Sequence, residues 1–266
     1  MKFKRYYILI AEGVTDCSLL EAILEKYLSY DQFENLNELP KLFQEMIGKY
    51  PTDTGALKRQ DSPVFYHKDE IAVAVKMAGG CSNLAKKAGS LIEVVNKLDE
   101  HEHFGGFLLF CDTDTENAES IQQKLTEEFK KEEFVYENNM IKAYEYDVVC
   151  KLYLFPMNGC GGIEKLLLEC ASISYRDLTE DALVYRKSIL DEKYSKLRCE
   201  CWAKKENVQE FYADKVQLGV ISAVLRPDKS VRFSIKDKLI RTEYKNQYME
   251  IPEFKTLYDF LLNELA

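Results

Sequence analysis

The chain has 266 residues, 46% hydrophobic and 30% charged, with a formal net charge of −9. This is ordinary globular composition with apolar material for a sizeable core, and twelve Gly and six Pro leave no room for a long low-complexity segment. No apolar run approaches the roughly 18 residues of a membrane span, and the run in the N-terminal MKFKRYYILIAEG is too short for a secretory signal. The cytoplasm is therefore the expected compartment.

Tyr6 to Ala11 is a continuous apolar run, which predicts a central parallel strand stopped by Glu12-Gly13. Thr15 or Asp16 then caps a helix with Leu19, Leu20, Ile23, Leu24, Tyr27 and Leu28 at helical spacing. Residues 29–70 have weaker patterning and read as a partly helical insertion. A second strand, Ile71 to Met77, stops at Gly79-Gly80, and a helix follows with Leu84, Ala88, Leu91, Ile92 and Val95 on one face. The third strand, Gly106 to Cys111, ends at Asp112-Thr113-Asp114 before a charged helix from about Asn117 to Lys131. The fourth, Cys150 to Phe155, stops at Pro156 and a glycine-rich turn, and Ile163 to Cys170 reads as a helix.

Four strand–turn–helix units predict a parallel α/β sheet over residues 1–172. Residues 173–266 read as a mixed, mostly helical region. Helices are expected at about 177–198, 205–223 and from Pro252, with an alternating Val231/Phe233/Ile235 stretch between the last two.

Parallel sheets bind ligands at the carboxyl ends of their strands. Those ends carry Glu12, Gly13 and Asp16; Gly79 and Gly80; Asp112, Asp114 and Glu116; and Gly159, Gly161, Gly162 and Glu164. Carboxylates crowded together repel unless a cation joins them, and oxygen-only ligands select Mg²⁺ or Mn²⁺. Such ions suit phosphoryl chemistry, and glycines let the backbone approach a phosphate. Taken alone, Asp-x-Asp after a strand is more often a helix N-cap than a metal site. The combination with an acid and a glycine after the first strand is what points to metal.

Other signals are weaker. The eight Cys lie mostly in apolar stretches, where a reduced Cys acts as a small hydrophobe, and Cys199-Glu200-Cys201 lacks a second pair at zinc-ribbon spacing. Residues 185–245 hold 15 Lys and Arg against 9 Asp and Glu, leaving 21 and 36 elsewhere, so a basic arm accompanies an acidic core. Lys204, Lys205 and Lys215 are its candidate nucleic-acid contacts. Glu116 stands where a haloacid-dehalogenase-like phosphatase needs Thr, and neither a Gly-x-Gly-x-x-Gly turn nor a Walker lysine is present. His101-Glu102-His103 precedes the third strand and reads as a loop.

The stretch Ile8 to Asp16, a hydrophobic strand ending in Glu-Gly with Asp three residues on, resembles the first motif of the Toprim family. Phe107 to Asp114 is similar to its second motif. The resemblance covers about residues 5–172 and is nearest to the stand-alone nucleases, such as the OLD enzymes and the nuclease subunit of the PARIS anti-phage system. It implies a Toprim core in which Glu12 is a general acid/base or metal ligand and Asp112 and Asp114 bind Mg²⁺ or Mn²⁺, with Asp16 and Glu164 as auxiliary ligands. The implied function is phosphodiester hydrolysis of DNA or RNA, in anti-phage defence or RNA processing. The alternative, favoured by the acidic surface and the lack of an obvious substrate-binding domain, is a Toprim-like binding module, catalytically silent by itself, in a larger complex with an ATPase partner. Thr115-Glu116-Asn117 follows the Asp pair where many Toprim proteins have a glycine.

Overall fold

The strand β1 (Arg5–Ala11) is buried at every position after its first, as a strand covered on both faces must be. In the computed structural model, which describes residues 3–47, 63–98, 101–143, 146–190, 194 and 206–266, the strands form one eight-stranded sheet. Its other members are β2 (Asp31–Gln32), β3 (Val64–Lys68), β4 (Ile71–Met77), β5 (Phe104–Asp112), β6 (Val135–Glu137), β7 (Met140–Ala143) and β8 (Tyr146–Phe155). The order is β2-β3-β4-β1-β5-β8-β7-β6.

β1 runs parallel to both β4 and β5, in register Ala11↔Met77 and Ala11↔Phe110. The margins are antiparallel: β2 on β3, β3 on β4, β6 on β7 and β7 on β8. The fold is thus α/β with a mixed sheet, not the all-parallel sheet expected. Two of the added pairs, β3–β4 and β6–β7, need only tight turns, whereas parallel neighbours need a crossover. Asp69, at φ 51°, turns β3 into β4, and Asn138 and Asn139, at 52° and 60°, turn β6 into β7 as a type I′ hairpin requires. The stretch read as an insertion over 29–70 therefore ends in a sheet strand.

Contacts divide the chain into two units. The first holds residues 1–111, 119–154 and 265; the second holds 112–118, 155–264 and 266. In the first unit the helices are α1 (Val14–Lys26), α2 (Lys41–Ile47), α3 (Leu84–Lys97) and α4 (Ala118–Lys131). Tyr6, Ile8 and Ile10 of β1 and Phe107, Leu109 and Cys111 of β5 alternate onto one face. They share a core with Leu84, Ala88 and Ile92 of α3 and Leu125 and Phe129 of α4. Each large side chain buried there contributes about 1.5–3 kcal/mol.

The second unit is helical: α5 (Ile163–Ser174), α6 (Arg176–Leu190), α7 (Glu206–Leu225), α8 (Val231–Ser234), α9 (Lys245–Tyr248) and α10 (Pro252–Glu264). α5, α6 and α7 pack on one another. The alternating stretch at 231–235 is helical, running from α8 into a π-helical turn, Ile235–Leu239. Tertiary bonding overrides the period there. Ser234 donates to the Ser222 carbonyl at 2.9 Å, and Ile235 and Leu239 are buried a turn apart. α10 starts at Pro252 as expected, burying Phe254, Leu257 and Leu261. No helix among the described residues is long and apolar enough to cross a membrane.

Candidate functional site

In the second unit, the loop after β5 is stitched to the turn before α5. Thr113 is buried; its amide donates to the Phe155 carbonyl at 2.8 Å, and its hydroxyl oxygen accepts from the Gly161 amide at 3.0 Å. The Asp114 amide donates to the Gly161 carbonyl at 2.7 Å. Asp114 takes φ 50°, a left-handed conformation that Asp tolerates better than most residues, and Gly161 takes φ 150°, which favours glycine. Asp112 Oδ1 accepts from the Ile163 amide at 2.9 Å, so Asp112 caps the first turn of α5.

One turn into α5, Glu164 is only 5% exposed. Its Oε1 lies 3.5 Å from Lys215 Nζ on α7, while Oε2 is buried with no hydrogen-bond partner. Burial pushes the Glu164 carboxyl above its ordinary value, Lys215 pulls it back, and Asp114 pushes it up again; the net direction is up. For Lys215, burial disfavours the charge, but Glu164, Asp112 and Asp114 together outweigh it and hold the ammonium above its ordinary value. Lys215 is therefore the positive centre of three carboxylates.

A cleft of about 250 Å³ opens beside this group, lined among others by Asp114, Gly161, Glu164, Lys165, Glu210 and Asp214. Arg186 pairs with Glu210 and, at 2.9 Å, with Asp214. Burial raises the Asp214 carboxyl despite that partner.

In the first unit, Glu12 directly follows β1. Its amide donates to the Phe110 carbonyl at 3.0 Å, and its carbonyl accepts from the amides of Gly79 and Gly80, each at 3.0 Å. Cys111 Sγ donates to Glu12 Oε2 at 3.3 Å. Among the described residues, Glu12, Cys81 and Cys111 are the one set of three whose ligand atoms all lie within 4.8 Å of one another. Hydrogen bonding with Cys81, burial and the charge of Glu12 hold the Cys111 thiol well above its ordinary value, hence protonated. Asp16 is buried in the first turn of α1, where its Oδ2 accepts from the Gly13 amide at 3.0 Å. That is a cap's work.

The expected ligands thus separate by role. Asp112, Asp114 and Glu164 are electrostatic neighbours in the second unit, although their oxygens are not drawn as tightly together as the Glu12–thiol set. Glu12 and Asp16 belong to the first unit. Lys215 is engaged with carboxylates, and Lys204, Lys205 and the Cys199/Cys201 pair lie outside the described residues. Cys81 and the Arg186–Asp214 pair went unread in the sequence; the signal for Cys81 was its place directly after Gly79-Gly80 at a strand end.

No protein-family model matches the chain, and no curated protein matches it. The crystal structure of a hypothetical protein from Pyrococcus horikoshii OT3 is similar, with 16% sequence identity and a TM-score of 0.54, over 97% of this chain and 99% of that one. At that identity the likeness is one of α/β fold.

Proposed function

We propose that this protein is a Mg²⁺-dependent nuclease, hydrolysing phosphodiester bonds of DNA or RNA, with a Toprim-like core over residues 1–172. One observation carries the reading: a buried Glu164 oxygen without a partner, at an acidic cleft beside Asp112 and Asp114. A carboxylate desolvated in this way costs several kcal/mol unless a charge partner repays it, and Lys215 meets only one of its two oxygens. The donors are all oxygen, which fits a hard divalent ion.

Asp114 and Glu164 would hold that ion, with Asp112 fixing the start of α5 beside them. When bound, Mg²⁺ supplies charge stabilisation to a phosphate oxygen. Gly159 leaves the backbone of the turn open to a phosphate, for no atom beyond its chain neighbours lies within 4 Å of where its Cβ would stand. Lys215 provides positive charge at the same loop. Hydrolysis joins a water oxygen to phosphorus and breaks the bond to the leaving sugar oxygen, which takes up a proton.

Cleavage of single- and double-stranded DNA and RNA with Mg²⁺, Mn²⁺ or chelator tests this. Metal-dependent cleavage lost in Glu164→Gln and Asp114→Asn supports it; full activity in both variants overturns it. The use of Asp112 as a helix cap favours a second reading, a silent binding subunit. Binding without hydrolysis in every metal would select it.

A further inference from the structure

We propose that Glu12, Cys81 and Cys111 form a site for a thiophilic divalent ion of the Zn²⁺ class, held by two thiolates and one carboxylate with a fourth position left open. This goes beyond the nuclease reading, which asks for oxygen ligands only and uses the second unit's cleft.

The backbone builds the site from the carboxyl ends of three adjacent strands. Side chains two apart on a strand share a face, so Glu12 continues the row of Ile8 and Ile10, and Cys111 the row of Phe107 and Leu109. The register Ala11↔Phe110 sets Glu12 opposite Cys111. The third ligand arrives by a turn: Gly79 and Gly80 donate to the Glu12 carbonyl, and Gly80 takes φ 124° to bring Cys81 back towards the sheet edge. All three anchors belong to the first unit.

The dimensions suit the ion. In a tetrahedral zinc site, with Zn–S bonds of about 2.3 Å, neighbouring sulfurs stand about 3.8 Å apart. The three ligand atoms here lie within 4.8 Å of one another, and Cys111 Sγ is 3.3 Å from Glu12 Oε2. Closure asks for about an ångström of side-chain movement. Two sulfurs in the set exclude Mg²⁺ and favour Zn²⁺. Cys111 is fully buried, whereas Glu12 and Cys81 are partly exposed, which gives the ion a way in. Three protein ligands with an open position are the pattern of a catalytic or regulatory zinc rather than a structural one.

The test uses the full chain, reduced and stripped by chelator, with Zn²⁺ titrated against a chromophoric competitor and Co²⁺ as a spectroscopic probe. One tightly bound equivalent is expected, with a thiolate-to-cobalt charge-transfer band. Cys81→Ser, at the partly exposed ligand, should weaken Zn²⁺ by about 100-fold or more and lower the band, while Glu12→Gln should weaken Zn²⁺ and keep the band. Cys111→Ser serves as a further check if its circular dichroism is that of the native fold. Unchanged binding in Cys81→Ser and Glu12→Gln overturns the proposal, as does a band lost only in Cys199→Ser/Cys201→Ser. Failure of the nuclease reading leaves this result untouched, because no step of it requires cleavage.

Discussion

Lys215→Met tests whether the charge on Glu164 depends on its one visible partner. The ammonium is 3.5 Å from Oε1, with side-chain exposures of 41% for Lys215 and 7% for Glu164. At that distance and an effective dielectric near 20 the bare attraction is about 5 kcal/mol, but the half-exposed lysine is screened and both groups lose hydration. Exposed pairs yield about 0.2–1 kcal/mol and breaking a fully buried pair costs about 3–5, so a loss of about 1–2 kcal/mol is expected. That corresponds to about 3–6 °C in Tm for a chain of this size. Glu164→Gln should lie within about 0.5 kcal/mol of wild type, or above it, because it removes the desolvated charge and leaves a lysine that water can still reach. The double variant should recover most of the Lys215→Met loss.

The pH dependence has a definite sign. Folding raises the Glu164 carboxyl above its ordinary 4.5, so the folded state holds the proton more tightly. The resulting stability is complete below the unfolded pKa and is lost as pH rises through the folded one. The advantage of Glu164→Gln over wild type should therefore grow as pH climbs above about 4.5. Thermal melts of the four proteins across pH, with and without Mg²⁺, measure both effects. A neutral Lys215→Met beside a strongly destabilised Glu164→Gln would refute the reasoning, for it would mean that Glu164 serves the fold as a hydrogen-bond acceptor.

Asp112→Ala should cost about 1 kcal/mol, the usual loss for a missing cap, whereas Asp112→Asn keeps an acceptor for the Ile163 amide and should melt near wild type. Asp112→Asn should keep any gain in Tm on adding Mg²⁺, because Asp114 and Glu164 hold the ion; an Asp112→Ala protein as stable as wild type would show that the cap adds nothing. Reversing Lys204 and Lys205 to Glu should weaken nucleic-acid binding across all sequences and flatten its salt dependence, by about 0.9 in log–log slope for each duplex phosphate no longer neutralised. An unchanged slope would leave those lysines as solvated charge.

Much of the architecture was legible along the chain because the buried elements announce themselves by period. A strand covered on both faces must be apolar without a break, which marked β1, β4 and β5, and a core-facing helix must repeat near 3.6, which marked α3 and α10. The margins of the sheet were not legible. β3, β6 and β7 are five, three and four residues long, too short for a period to emerge, and their turns use Asp and Asn at positive φ in place of glycine. The acids at the strand ends were visible, but their duties were not. That Asp112 caps α5 depends on an amide 51 positions away, and that Glu164 meets Lys215 depends on how α5 packs on α7. Cys111 read as a small hydrophobe, and by burial it is one. Only strand register sets its sulfur against Glu12, and only the turn after β4 brings Cys81 to them. Local pattern determined which residues are buried and which elements they form, because burial acts on each segment by its own period; which polar groups meet was decided by tertiary structure, because a hydrogen bond or a ligand set joins residues distant in sequence and leaves no periodic trace.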